Sequence, residues 1–346
     1  MIQEQVVNDV QNYYGEVLES SADLKTSACC PAEAMPVHLR KLAAEIHPEV
    51  IEKFYGCGSP IPFDLEGCTV LDLGSGTGRD CYLLSKLVGP TGRVIGVDMT
   101  PQQLKVARRH VDYHTEKFGF DQPNVEFRHG LIEDLSSVGL EDASVDLVVS
   151  NCVINLSSNK ERVFSEIFRV LKPGGELYFS DIFASRRIPK HLASDPVLLG
   201  ECLGGAMYIE DFRRMLVRLG CDDYRFTANS TLALHDPEIA RKAGLIDFYS
   251  MTVRAFKLDL EDRCEDYGQA ARYLGTITDS ENAFVLDDHH TFETGKVEPV
   301  CGNTAAMLSQ TRYGKHFEIV GDTTNHYGIF DCGPETARGD DVGACC

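Results

Sequence analysis

One glycine turn constrains this chain more than any other feature. Asp72-Leu-Gly74-Ser-Gly76-Thr-Gly78 stands between the apolar run TVLDL, which starts at Thr69, and the helical pattern CYLLSKLV, which starts at Cys81. Its glycines let the backbone turn tightly and let a ligand approach it closely. TVLDL is short and apolar, as a strand buried inside a parallel sheet must be. The alternation then repeats. RVIGVDM reads as a second strand, and Pro101 opens the next helix, where proline is tolerated, with Leu104, Val106 and Ala107 as its apolar positions. NVEFRHG and VDLVVSN follow as strands three and four, ERVFSEIFRVL as an amphipathic helix ended by KPGG, and ELYFSD as strand five. Strands alternating with helices over residues 69–183 predict an α/β fold with a doubly wound parallel sheet. Residues 184–258 add helices and two closing strands, around YRFTANS and SMTVRAFKL.

The flanks read differently. Ile2, Val6, Val7, Val10, Tyr13, Tyr14, Val17 and Leu18 form one apolar stripe at helical spacing. A loop with Cys29 and Cys30 follows. Leu39, Leu42, Ala43, Ile46 and Val50 mark a second helix reaching about Tyr55, which Gly56, Gly58, Pro60 and Pro62 then break. Beyond residue 260 the regularity fades, and AFVL and HFEIV suggest a small α+β region. The expected organisation is therefore an N-terminal helical segment (1–66), a central nucleoside-cofactor domain (67–258) and a C-terminal region (259–346).

Composition narrows the partners. Hydrophobic residues make up 43%, enough for a real core. A net charge of −20 argues against nucleic acid and anionic membranes, both densely negative. No apolar run is long enough to span a bilayer, and the start lacks the basic and apolar parts of a secretory signal. A cytoplasmic monomer is expected. The 13 cysteines are then reduced thiols, more apt for metal or redox chemistry than for stapling the fold. None stand in C-x-x-C spacing, which removes the commonest zinc and thioredoxin signatures.

Asp98 lies 20 residues beyond Gly78, at the end of the second strand, where a carboxylate can accept from both hydroxyls of an adenosine ribose. This alone does not separate NAD from S-adenosylmethionine. The finer pattern, Asp72 before a G-x-G-x-G turn, resembles the first motif of class I methyltransferases, which have a Rossmann-like sheet. That resemblance implies S-adenosylmethionine, with Asp72, Gly74, Gly76 and Gly78 around its amino-acid end. HGLIEDL resembles the family's adenine-binding stretch, with Ile132 near the ring and Glu133 or Asp134 near its amino group. LKPGGELYFSD resembles a later motif.

Three cysteines stand at informative places: Cys57 in FYGCGSP, Cys152 in VVSNCVINL and Cys202 in LLGECLGGA. Cys152 falls at the carboxyl end of the fourth strand, the edge where open α/β sheets bind ligands. Each taken singly also reads as a small buried hydrophobe. Together, and with SADLKTSAC carrying Cys29, these segments resemble arsenite S-adenosylmethionine methyltransferases over about residues 10–258. The resemblance implies that Cys57, Cys152 and Cys202 bind trivalent arsenic, and that Cys29 pairs with Cys57 in a redox step. It also implies that Tyr55, Gly74, Asp98, Met99, Ile132 and Asn151 contact the cofactor. Arsenite and methylarsenite would be the substrates, and thioredoxin or glutathione the thiol reductant.

The chemistry agrees. Thiolates are the soft ligands that a soft As(III) centre prefers. A thiolate-bound As(III) keeps a lone pair and has no proton to lose, so no general base is needed. Cys30 competes with Cys29 for the redox role, and Cys345-Cys346 reads equally as an arsenic-delivering pair or an incidental tail. Cys68, Cys81, Cys221, Cys264, Cys301 and Cys332 match no motif and read as structural or incidental. His110 and His114, four apart, lack a third metal ligand and read as packing residues. Two other functions fit less well: a methyltransferase for a carbon, nitrogen or oxygen acceptor, and a thiol-rich soft-metal binder without turnover.

Overall fold

A computed structural model of the chain describes residues 35–54, 59–193, 195, 198 and 202–331. The helix expected over residues 2–18, and Cys29, Cys30, Tyr55, Cys57, Cys332, Cys345 and Cys346, lie outside the described residues. Among the described residues no helix is long and apolar enough to cross a membrane.

The second expected helix is two short ones, α1 (Val37–Ala43) and α2 (Pro48–Glu52). Pro48 is the reason, a signal already visible in the sequence. Proline disfavours helical backbone in the residue before it, and His47 is extended at ψ 133°. Pro48 then opens α2, and His47 Nδ1 accepts the Glu49 N–H at 3.2 Å as its cap.

The alternating strands and helices follow as expected: β1 (Thr69–Leu73), α3 (Arg79–Val88), β2 (Arg93–Asp98), α4 (Pro101–Arg109), α5 (Val111–Phe118), β3 (Val125–His129), β4 (Val145–Asn151) and α6 (Lys160–Val170). Next come β5 (Leu171–Ala184), β6 (Met207–Tyr208), α7 (Ile209–Arg218), β7 (Tyr224–Thr231), α8 (Pro237–Ala243) and β8 (Phe248–Phe256). The sheet order is β3-β2-β1-β4-β5-β8-β7, with β6 beside β5. β1 to β5 pair in parallel, while β7 and β8 close the sheet antiparallel. Both faces of the inner strands are buried, because side chains alternate across a strand. Val70, Val94 and Val149 join one core cluster with α3 and α4, and Leu71, Ile95 and Val148 join the other with α6 and α7. The chain leaves β1 to build β2 and β3 on one side, then returns to lay β4 on the other. Ligands bind at the carboxyl ends of the two strands flanking such a reversal.

KPGG does not separate helix from strand as the sequence suggested. β5 begins at Leu171 and runs through it. The register with β4 shifts between Val145 and Leu147, which face Leu171 and Glu176, so the extra residues bulge out. Gly174 sits at φ 75° and donates its N–H to Lys257 O at 2.9 Å.

The C-terminal part carries β9 (Glu265–Asp266), β10 (Ala270–Tyr273), β11 (Ala283–Val285), β12 (Thr291–Glu293), β13 (Val297–Pro299), α9 (Gly302–Ser309), β14 (Phe317–Val320) and β15 (Gly328–Ile329). AFVL and HFEIV are thus strands, in the α+β mixture expected. Its apolar cluster takes in Phe256 of β8, Phe284, Tyr313 and Phe317, with Phe63 against it. Buried charge fastens it to the sheet. Glu176 on β5 is fully buried and takes Arg254 Nε at 2.6 Å and Arg312 Nη2 at 2.5 Å. Removing one partner from such a network strands the others in low dielectric. Glu176→Gln should therefore cost about 3–5 kcal/mol in urea unfolding. A loss under about 1 kcal/mol, the value of an exposed pair, would contradict this reading.

Candidate active site

The reversal between β1 and β4 opens a cavity. Its walls come from the glycine turn after β1, Asp98–Thr100 after β2, Gly130–Glu133 after β3, and Asn151–Val153 after β4, with Lys53 and Phe54 on one side. Gly74 (φ 73°) makes the turn fit: a Cβ there would lie 2.3 Å from Val153 Cγ2. Only glycine lets the β1 turn lie so close to the chain leaving β4.

Asp98 caps the turn. Its Oδ2 accepts from Gly76 N at 2.8 Å and its Oδ1 from Thr100 N at 2.7 Å. Each oxygen retains acceptor capacity for a ribose hydroxyl. Burial pushes the Asp98 carboxyl above its usual range, against the pull of the Thr100 and Gly76 N–H groups. Burial and the neighbouring Asp80 raise Asp72 further, to about 8, while Cys81 Sγ donates to its Oδ2 at 3.1 Å. Asp80 takes Asn151 Nδ2 at 2.9 Å and the Arg79 guanidinium at 2.6 Å. An acidic, water-poor wall of this kind fits a ligand with a cationic amine or sulfonium, whose charge would restore the Asp72 carboxylate. Ser75 Oγ, buried and without a partner, adds a hydrogen-bonding group to the same wall.

Of the sequence-derived cofactor residues, Asp72, Gly74, Gly76, Asp98, Met99, Ile132, Glu133 and Asn151 line the cavity. Glu133 takes Ser157 Oγ at 2.5 Å, whereas Asp134 is exposed and caps the Ser137 turn. Gly78 is not on the wall. It precedes α3 at φ 88°, where a Cβ would lie 2.7 Å from Phe127 Cζ, so its role is packing. Sequence reading missed Thr77, Asp80, Thr100 and Phe54. Asp80, an acid in the first turn of α3, carried a readable signal; the others depend on tertiary contacts.

α1 and α2 lie over one edge of the cavity. Thr77 Oγ1 donates to Val50 O at 3.0 Å, and the Arg79 guanidinium stacks 3.2 Å from the Phe54 ring centre. Glu49 bonds Arg109 Nη1 at 2.9 Å and His110 Nε2 at 2.7 Å, and His47 stacks on His110. His114 donates from Nδ1 to His110 O at 2.7 Å and accepts at Nε2 from His47 N at 3.2 Å. Burial lowers its pKa to about 4, so it is neutral. With both nitrogens engaged, His114 is a packing residue and not half of a metal pair.

Cys152 and Cys202, 50 residues apart, meet at the cavity's lip. Cys152 lines the wall, and Cys202 Sγ donates to Cys152 O at 3.4 Å. Both are non-glycine residues at positive φ, 55° and 62°. Such backbone costs about 1–3 kcal/mol per residue and persists where the surroundings enforce it. The enforcement is visible here. A Cβ on Gly205 would lie 1.9 Å from Asn155 O, so glycine alone lets the Cys202 segment close on the chain after β4. Asp181 fixes Asn155 through its N–H at 3.0 Å and its Nδ2 at 2.7 Å. Cys152 and Cys264, near β9, are each disulfide-bonded, against the expectation that the cysteines are reduced thiols.

The remaining described cysteines are structural. Burial pushes the Cys68 and Cys81 thiols up, and burial with Asp223 pushes Cys221 to about 12. Cys301 caps α9 by accepting from Thr304 N at 3.4 Å. The Cys68, Cys81 and Cys221 thiols resist forming the nucleophilic thiolate.

Comparison with known proteins adds the following. The family model of a methyltransferase domain matches residues 64–220, and that of the arsenite methyltransferase C-terminal domain matches residues 268–338. The arsenite methyltransferase of Aquipseudomonas alcaligenes is 56% identical over 326 residues, 94% of each chain. That of Homo sapiens is 44% identical over 319 residues, 91% of this chain and 84% of the relative. The crystal structure of an arsenic (III) S-adenosylmethionine methyltransferase from Chlamydomonas reinhardtii is 51% identical. It covers 86% of this chain and 99% of its own, at a TM-score of 0.83.

The raised Asp72 gives a pH dependence with a definite sign. Its folded value, about 8, exceeds the unfolded 3.8, so its stabilising contribution is complete below pH 4 and is lost as pH rises through 8. Ligand-free Asp72→Asn protein should lose up to about 1.4 kcal/mol per pH unit of that slope in urea unfolding between pH 5 and 8. Identical slopes in the two proteins would show that Asp72 is ionised when folded.

Proposed function

Because the chain belongs to the arsenite methyltransferase family, we propose which of its residues carry that reaction and how. The enzyme methylates arsenite with S-adenosylmethionine as methyl donor. The donor supplies, when bound, an electrophilic methyl group on a sulfonium. On the proposed reading Asp98 holds the ribose, Ile132 and Glu133 the adenine side, and Asp72 with Gly74, Gly76 and Asn151 the amino-acid end. Met99 and Tyr55 complete the enclosure, with Tyr55 outside the described residues.

Cys57, Cys152 and Cys202 hold the As(III) substrate through sulfur. The observation that carries this reading is the convergence of Cys152 and Cys202, both on strained backbone, at the lip of the cofactor cavity. Phe54 lines that cavity and Ser59 accepts from Arg79 Nη2 at 3.0 Å, so the described residues flanking Cys57 are anchored beside it. The Cys152 disulfide has to be reduced to two thiols before arsenic enters. The bound As(III) then directs its lone pair at the donor methyl. Alignment is the main contribution, and holding two reactants in line supplies up to about 7–11 kcal/mol of a barrier. No acid–base group is required, since the nucleophilic lone pair carries no proton.

Donating that pair leaves arsenic pentavalent, two electrons above the state needed for another round. The Cys29 thiol attacks the arsenic-bound sulfur of Cys57: the S–S bond forms, the As–S bond breaks and leaves its electron pair on arsenic, and the one thiol proton is released. Thioredoxin or glutathione restores them, and methylarsenite is the second substrate. We place the enzyme in the cytoplasm as a monomer, without nucleic-acid or membrane partners, to which its charge of −20 is ill suited. The working division is 1–66 for the redox and capping segment, 67–258 for methyl transfer and 259–346 for a region without an assigned role.

Cys152→Ser and Cys202→Ser should each reduce arsenite methylation to background when methylated arsenic is followed over time. Full activity in both would sink the ligand assignment. Cys29→Ser and Cys57→Ser should lose arsenite turnover yet keep most methylarsenite turnover, because a methylated arsenic needs fewer sulfurs. Equal loss on the two substrates would contradict that division.

A further inference from the structure

The stretch that follows Cys57 is held from the far end of the chain. Arg312 donates from Nε and Nη2 to Phe63 O, both at 3.1 Å, across 249 positions. The same guanidinium meets Glu176 Oε2 on β5 at 2.5 Å and the Tyr313 hydroxyl. One largely buried side chain therefore joins the sheet, the C-terminal region and the backbone at Phe63. The Phe63 ring packs against the C-terminal apolar cluster. Asp64 stands at φ 58°, a left-handed conformation that a non-glycine residue keeps only where its surroundings enforce it. Lys315 Nζ at 3.0 Å and His316 Nε2 at 3.2 Å from its Oδ1 supply that enforcement.

The other end of the stretch is fixed on α3. Ser59 accepts from Arg79 Nη2 at 3.0 Å, and the Arg79 guanidinium also stacks on Phe54. Ile61 donates back to Ser59 O at 2.8 Å, and Pro60, Ile61 and Pro62 are buried. The two prolines fix φ at their positions. Residues 59–65 are thus a strut braced at both ends. Cys57 stands two residues before Ser59 and six before Phe63. No described residue beyond 260 lines the cofactor cavity, so any part the C-terminal region plays in the reaction is indirect.

We propose that Arg312 is a positioning residue, through which the C-terminal region fixes where the chain presents Cys57 to arsenic. The inference rests on the assignment of Cys57 as an arsenic ligand. It gives residues 259–346 a part in arsenite methylation: they set the anchor of the strut. Packing of the Phe63 ring would close the fold on its own. A rigid guanidinium held by Glu176 and aimed at the Phe63 carbonyl also fixes the direction of the chain there. Direction matters because a small misplacement of a reacting group, caused far from the chemistry, is costly in rate.

Two variants test this from the C-terminal side. Arg312→Lys keeps a cation for Glu176 and loses the planar fork on Phe63 O, so it threatens the fold less than Arg312→Met. Lys315→Met combined with His316→Gln frees Asp64 and leaves Glu176 untouched. Each should lower kcat/KM for arsenite about tenfold, the worth of a hydrogen bond to a charged group. Methylarsenite turnover and KM for S-adenosylmethionine should stay at wild-type values, because neither depends on Cys57. Hydrogen exchange of the 59–65 peptide should quicken about tenfold in both variants. Equal loss on the two arsenic substrates is what general destabilisation gives, and it overturns the proposal. So does unchanged exchange over 59–65. If Arg312→Lys does not fold, the Lys315–His316 double variant decides by the same readings. Cys57→Ser, assayed alongside, separates this inference from the one beneath it. Full arsenite turnover there removes Cys57 from the arsenic site and with it the catalytic part of the proposal, while the exchange result still decides the brace.

Discussion

Two close backbone approaches hold the site together. Gly74 brings the turn after β1 against Val153, and Gly205 brings the Cys202 segment against Asn155 O, where a Cβ would lie 2.3 Å and 1.9 Å from its neighbours. The first forms the cofactor wall and the second delivers a thiol to its edge. Both converge on residues 152–155, the short stretch after β4. Cys152 lies in that stretch at φ 55°, its N–H bonded to Ser180 O at 2.8 Å. β4 and β5 therefore set where the sulfurs sit, and the sheet's topology sets where the cofactor lies relative to them.

Thirteen cysteines in one chain pose a selection problem that burial does not resolve, since Cys152 and Cys202 are buried as Cys221 is; position in the fold does. Cys81 and Cys221 are fully enclosed, and their acidic neighbours raise the thiols further. Cys202 instead meets Cys152 at the cofactor cavity, both on positive-φ backbone. On the proposed reading the same element serves as inert packing in one place and as a soft ligand in another. The acidic wall of Asp72, Asp80 and Asp98 divides the labour similarly: it suits a cationic cofactor, while on the proposed reading arsenite, which is neutral, is selected by sulfur.

Much of this was legible in the sequence because it was local. The glycine turn, Asp98, the alternating strands and the position of Cys152 all follow from short-range pattern, and eight expected cofactor residues line the cavity. Gly78 carried the motif but serves packing, since the motif does not distinguish a glycine that touches ligand from one that admits Phe127. Pro48 was visible and should have split the helix there. Other features depended on contacts between distant residues. Glu176 meets Tyr313 across 137 positions, and Thr77 meets Val50 across 27. Cys202 meets Cys152 across 50 positions.

The central claim is that folding assembles a sulfur site for arsenic beside the methyl donor's cavity. X-ray absorption at the arsenic edge, on reduced enzyme loaded with arsenite, tests it most directly by counting sulfur neighbours. The account predicts three in the wild type and one fewer in each of Cys152→Ser and Cys202→Ser. A shell unchanged by both substitutions, or one dominated by oxygen in the wild type, would contradict it.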